Sequence, residues 1–130
     1  MSDEWVVLDA SALLALLFNE AGADAVAARL VGATISAVNL SEVAAKLADQ
    51  GMPEEGITAT LREFDLDIRP FDASQARMAG ALRTVTRSAG LSLGDRACLA
   101  LAQSIGAVAL TADRAWAELA LEGLRVQLIR

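Results

Sequence analysis

The sequence predicts an α/β fold: a mainly parallel sheet of about five strands, covered by helices on both faces. Three observations predict it. Short apolar runs suited to buried strands alternate with longer helical stretches, and glycines and prolines fall between them. With 130 residues, 55% of them hydrophobic, the chain has material for one core, so a single domain over residues 1–130 is expected. Much of that material is small, since 28 residues are alanine, which favours helices packed closely.

The elements follow in order. WVVL (Trp5 to Leu8) reads as a buried strand ending at Asp9, and Ser11 to Asn19 as a helix apolar on almost every face. Such a helix needs cover all round, from neighbouring helices or from a partner chain. Ala23 to Val31 is a second helix. ATIS (Ala33 to Ser36) is a second strand, followed by helices Leu40 to Gln50 and Pro53 to Phe64. DIRP (Asp67 to Pro70) is a third strand, followed by helices Ala73 to Ser88 and Leu93 to Ile105. AVAL (Ala107 to Leu110), a helix at Arg114 to Glu122 and VQLI (Val126 to Ile129) complete the pattern. Gly22, Gly32, Gly51 to Pro53, Gly90, Gly106 and Gly123 separate them.

Composition excludes several chemistries. There is no histidine and no tyrosine, so Ser-His-Asp and Cys-His catalysis and Cys/His zinc sites are out as usually built. Carboxylates, hydroxyls and arginines remain, and carboxylate oxygens suit magnesium or manganese. The single cysteine, Cys98, allows no intrachain disulfide, which fits a cytoplasmic protein, and reads as core. The N-terminus opens acidic where a secretory signal would open basic. The longest strongly apolar run, Ala12 to Phe18, is well short of the ~20 residues a membrane span needs. The net charge of −6 argues weakly against nucleic-acid binding, although local arginines and bound cations can reverse a field.

Four acids stand where elements begin or end. Asp9 follows the first strand and Asp113 follows AVAL, on the sheet edge where open parallel sheets bind ligands. Glu42 lies in the first turn of the helix after the second strand, and Asp95 opens the helix LSLGDRACLALAQ. Each has an ordinary explanation. Asp9 and Asp113 can cap helices, Ser92 and Asp95 form an S-x-x-D capping box, and Asn39 and Glu42 form a similar pair. Glu42 also stands i,i+4 to Lys46. Ser11 and Thr111 can orient a carboxylate or serve as turn residues. Arg96 and Arg114, next to Asp95 and Asp113, can contact phosphate or simply be solvated. Trp116 reads as packing.

VVLDASALLALL, SAVNLSEVAAKL, LSLGDRACLALA and LTADRAW together resemble the PIN domain, specifically the VapC ribonuclease toxins of type II toxin–antitoxin modules. The resemblance runs the length of the chain in the family's order. It implies a three-layer α/β/α sandwich, an acidic pocket for magnesium or manganese, cleavage of RNA, a homodimer and a small VapB-type antitoxin partner. Asp9, Glu42, Asp95 and Asp113 match the family's acids and would be both metal ligands and catalytic residues. Ser11 and Thr111 match its accessory hydroxyls. Water attack on the phosphodiester would leave a 5′-phosphate and a 3′-hydroxyl. Two other readings use the same acids: an inactive PIN-like interaction protein, and a phospho-acceptor receiver. A receiver needs a lysine at a late strand end, and the only lysine, Lys46, lies on an early helix.

Overall fold

The computed structural model describes residues 4–130; the start of the acidic opening, residues 1–3, lies outside the described residues. Five parallel strands form one sheet: β1 (Val6–Leu8), β2 (Thr34–Ser36), β3 (Asp67–Arg69), β4 (Val108–Thr111) and β5 (Arg125–Leu128), in the spatial order β3-β2-β1-β4-β5. Six α-helices connect them: α1 (Ala10–Leu17), α2 (Ala23–Ala27), α3 (Ala37–Asp49), α4 (Glu54–Glu63), α5 (Ala73–Thr86) and α6 (Leu93–Ile105).

Strand alternation makes the layers. Val6, Leu8, Ile35 and Leu110 face a core shared with α1 to α4, including Leu13, Val26, Val43 and Leu47. Val7 and Ala109 face the opposite way, into a core with Leu82 of α5, Cys98 and Leu99 of α6 and Trp116. Side chains two apart on a strand share a face, so a three-residue strand such as β1 feeds both cores. The helices therefore cover the sheet on both sides, as expected.

Three elements differ from expectation. The stretch Arg114 to Glu122 forms only a short 3-10 helix, Arg114–Glu118, and α2 ends four residues early, at Ala27. The helix expected from Leu40 begins at Ala37, because Ser36 closes β2 and at once caps α3 by accepting from the Val38 amide at 3.2 Å. No loop separates strand from helix there. Helix α6 spans the expected residues, from its Ser92 cap to Gly106, whose φ of 67° ends it in the left-handed region that favours glycine. Neighbours α2 and α3 cover part of α1, while Leu14 and Leu17 stay partly exposed. Among the described residues no helix is long and apolar enough to cross a membrane.

Candidate active site

Connections leave β1 for β2 on one side, and β4 lies on the other, so the sheet reverses its winding between β1 and β4. Ligands collect at the carboxyl ends of strands at such a point. Asp9 stands there, directly after β1, with Thr111 ending β4 beside it.

Asp9 occupies the N-cap position of α1 but makes no side-chain cap bond. Two hydroxyls hold it instead. Ser11 Oγ donates to Oδ2 at 2.6 Å and Thr111 Oγ1 donates to the same oxygen at 2.9 Å. Backbone amides fix the hydroxyls in turn: Ala112 N donates to Ser11 Oγ and Asp113 N to Thr111 Oγ1, both at 3.0 Å. The other oxygen, Oδ1, accepts no hydrogen bond among the described residues. Asp9 is 5% exposed, and its pKa is pushed up to about 6, chiefly by burial. The two hydroxyl bonds lower it, and the charges of Asp95 and Glu42 raise it.

Glu42 lies in the second turn of α3, so the capping pair expected of Asn39 and Glu42 does not form; Ser36 is the cap. Asn39 instead braces Glu42 from within the protein. Its Nδ2 donates to Glu42 Oε1 and to the Gly94 carbonyl, each at 3.0 Å, tying α3 to α6. Asn39 is fully buried, and its Oδ1 has no partner. Glu42 itself is open to solvent on one side. Partial burial raises its pKa, the Asn39 bond lowers it, and Asp95 raises it.

Asp95 does form the capping box: Ser92 N donates to its Oδ2 at 2.9 Å, and Asp95 N donates to Ser92 Oγ at 3.1 Å. Its charge nevertheless reaches Asp9, Glu42 and Cys98. Cys98 is buried beneath these acids, and burial first, then their charges, keeps it a thiol. Asp113 also caps, accepting from Ala115 N through Oδ1 at 3.0 Å, and is exposed. The structure therefore brings Asp9, Glu42 and Asp95 into one electrostatic cluster and sets Asp113 at its edge, linked through Thr111.

The arginines divide. Arg96 turns away from the acids, donating from Nη1 to the Ala79 carbonyl of α5 at 3.0 Å, with Nε buried and unpartnered. That position suits packing α6 on α5 rather than contact with a phosphate. Arg114 is exposed and unpaired among the described residues. Trp116 is fully buried, as expected of packing.

Two features of the site escaped sequence reasoning. One is the bracing role of Asn39: the i,i+3 spacing paired it with Glu42, but as a helix cap. The other is Gly94. A Cβ there would fall 2.5 Å from Glu42 Cδ and closer still to both carboxylate oxygens, so the missing side chain makes the cradle for Glu42. Nothing local signals an approach between residues so far apart in the chain.

The donor set is all oxygen and fits magnesium or manganese. Asp9 and Glu42, both raised partly by neighbouring acids, are groups a cation would relieve. Among the described residues no three acids are placed as a ready ligand cage, and Asp95 and Asp113 each have one oxygen turned to a helix amide. Gly94→Ala tests the cradle. Glu42 can swing outward, so the loss of stability should stay below ~1.5 kcal/mol. The stabilisation produced by added manganese should shrink; an unchanged response in a urea titration would mean Glu42 plays no part in binding metal.

The PIN domain family matches residues 6–122. No curated protein matches in sequence. Among solved structures, DNA-bound VapBC from Salmonella typhimurium is similar at 19% identity and a TM-score of 0.73, over 98% of this chain and 99% of that one. VapBC2 from Rickettsia felis, bound to a promoter DNA fragment, gives 18% and 0.72, over 95% and 97%. VapBC-5 from Mycobacterium tuberculosis gives 21% and 0.63, over 96% and 98%. At these identities the likeness is one of fold.

Proposed function

The chain belongs to the PIN domain family, and from that premise we propose that it is a VapC-like toxin, a magnesium- or manganese-dependent endoribonuclease neutralised by a VapB-type antitoxin. The observation that carries the reading is Asp9: a buried carboxylate that caps nothing, held by two hydroxyls, with one oxygen unbonded at the winding reversal of the sheet.

Asp9, Glu42 and Asp95 would hold the metal, with Asp113 as a fourth, outer ligand. When bound, the cation supplies positive charge for the phosphate and acidifies a water. The chain's own residues do the positioning. Ser11 and Thr111 fix Asp9 Oδ2, so Oδ1 projects at a set angle. Asn39 fixes Glu42 Oε1 and leaves Oε2 for the ligand. Without histidine the chain lacks the usual base for a ribose 2′-hydroxyl. Water is therefore the nucleophile, and the products carry a 5′-phosphate and a 3′-hydroxyl.

We also read residues 1–130 as a single PIN domain, because one sheet serves both cores. The antitoxin reading draws support from the VapBC neighbours. An apolar groove of about 700 Å³ between α3 and α4, lined by Leu40, Ala44, Met52, Ile57 and Leu61, suits an amphipathic antitoxin helix. The partly exposed leucines of α1 suit a second copy. A cytoplasmic location follows from the toxin reading.

The test is direct. Purified protein, free of antitoxin, is incubated with structured RNAs and manganese or magnesium. Cleavage that EDTA stops, leaving 5′-phosphate ends, is the expected result. Cleavage indifferent to EDTA, or cyclic phosphate ends, would exclude metal-dependent attack by water. Absence of cleavage with either metal would favour the inactive interaction protein.

A further inference from the structure

A cleft of about 730 Å³ lies between the C-terminal end of α5 and the chain that follows β4. Val85, Ala89, Leu119 and Leu121 give it an apolar lining, and Val85 is 61% exposed. Its charged lining residues are Glu118 and Glu122, with no cation among them. Among the described residues neither glutamate side chain has an ion pair. A complementary occupant therefore brings positive charge beside small or apolar side chains. Ala115 also lines the cleft, and its amide bonds Asp113, so the cleft runs up to the outer acid of the candidate site.

The chain carries that combination on α5 itself. At 3.6 residues per turn, Arg77, Ala81 and Val85 form one stripe along the helix. All three are exposed, while Ala79 and Leu82 bury the other side of α5 against α6. Arg77 has neither an ion pair nor a hydrogen bond among the described residues. It stands two turns, about 12 Å along the axis, from Val85, so it does not fill its own cleft. Arg83 and Arg87 lie off the stripe, on the side of α5 away from the cleft.

We propose that a second copy of this chain docks here, α5 against α5, antiparallel about a two-fold axis at Ala81, with each Arg77 entering the partner's cleft. Arg77 and Val85 lie four residues to either side of Ala81, so the axis sets each Arg77 opposite the partner's Val85. There it meets the partner's Glu118 and the partner's Glu122, and the same contact occurs a second time in the opposite direction. Ala81 has the small side chain that a close helix crossing needs. Arg83 and Arg87 stay outside the contact, so no like charges are brought together. The proposal rests on the homodimer reading and adds the face; the α1 leucines are the competing face.

The experiment measures the dimer dissociation constant of the full chain by sedimentation equilibrium. Arg77→Glu sets a third acid against the partner's two and should weaken the dimer at least ~10-fold. Glu118→Arg with Glu122→Arg should weaken it as much, by setting cation against cation. All three changes together restore opposite charges across the interface and should return most of the lost affinity. Arg83→Glu, off the stripe, should match wild type. These side chains are all exposed, and urea unfolding checks that each fold is intact. Ala81→Cys should form a disulfide-linked dimer under mild oxidation, since the axis brings the two Cα atoms within the ~4.4–6.8 Å that a disulfide spans. Buried Cys98 should leave oxidised wild type unlinked. A wild-type monomer would sink the homodimer reading and the proposal with it. A dimer indifferent to Arg77→Glu, with no cross-link in Ala81→Cys, would overturn the proposal alone, and its loss in Leu17→Glu would move the second copy to α1. If that dimer is unchanged while a labelled decalysine peptide binds through Glu118 and Glu122, the cleft belongs to a basic segment of another protein.

Discussion

In EDTA at pH 7.5, Asp9→Asn should be more stable than wild type by about 2–3 kcal/mol, while its RNA cleavage in manganese falls by more than ~100-fold. The stability arises from the raised pKa. Asp9 titrates at about 6 when folded, against an ordinary 3.8. An acid raised in the folded state binds protons more tightly there than in the unfolded chain. Between pH 3.8 and 6 the native protein holds the extra proton, so stability falls as pH rises through that window and stays low above it. The full loss is on the order of 3 kcal/mol. The amide cannot ionise, so the variant escapes the loss, and its remaining oxygen can still accept from Ser11 and Thr111. Glu42, raised for the same reasons, adds to the wild-type slope in the same direction.

The sign separates this reading from a capping role, in which removing the charge from a helix N-terminus would cost about 0.3–1 kcal/mol. Urea unfolding across pH 4 to 8 makes the comparison. The two proteins should converge near pH 4, where both side chains are neutral. Manganese should stabilise wild type, by roughly 2.7 kcal/mol at a hundredfold excess over its dissociation constant, and the variant less. A variant less stable than wild type at pH 7.5 in EDTA, or a difference that persists unchanged at pH 4, would sink the prediction.

Local signals made much of the fold legible. Helix α6 was readable to the residue because its cap, its acidic partner and its terminating glycine, Ser92, Asp95 and Gly106, lie in the sequence at fixed offsets. Asp9 with Ser11, and Thr111 with Asp113, were readable at one edge because strand ends deliver them there, but the bond from Thr111 across to Asp9 was not. The start of α3 was not, because Ser36 serves strand and cap at once and leaves no turn residues to mark the boundary. Arg96 shows the limit for side chains. Its place beside Asp95 in sequence says nothing of direction, and on a helix consecutive residues diverge, so it meets α5 while Asp95 meets the acids. The order of the strands, and hence the meeting of Glu42 with Gly94, depends on tertiary packing that no local pattern records.

Asn39 is where that unrecorded packing should matter most. Asn39→Ala removes both Nδ2 bonds and opens a cavity between α3 and α6; the Gly94 carbonyl, in the first turn of α6, keeps its place in the helix ladder. Loss of the neutral bond to Gly94 costs about 0.5–1.5 kcal/mol, and loss of the bond to the Glu42 carboxylate about 1.5–3 kcal/mol. Glu42 loses the contact that lowers its pKa, so its charged form becomes harder to hold and the metal needed for half-maximal cleavage should rise by ~10–100-fold. Asn39→Leu separates bonding from filling. Leucine restores the volume without a donor, so it should recover part of the stability lost in the alanine variant and none of the metal affinity. The measurement is cleavage against manganese concentration for both variants, beside urea unfolding in EDTA. If Asn39→Leu cleaves RNA at wild-type manganese levels, Asn39 is a packing residue only, and the brace on Glu42 is not what sets the site.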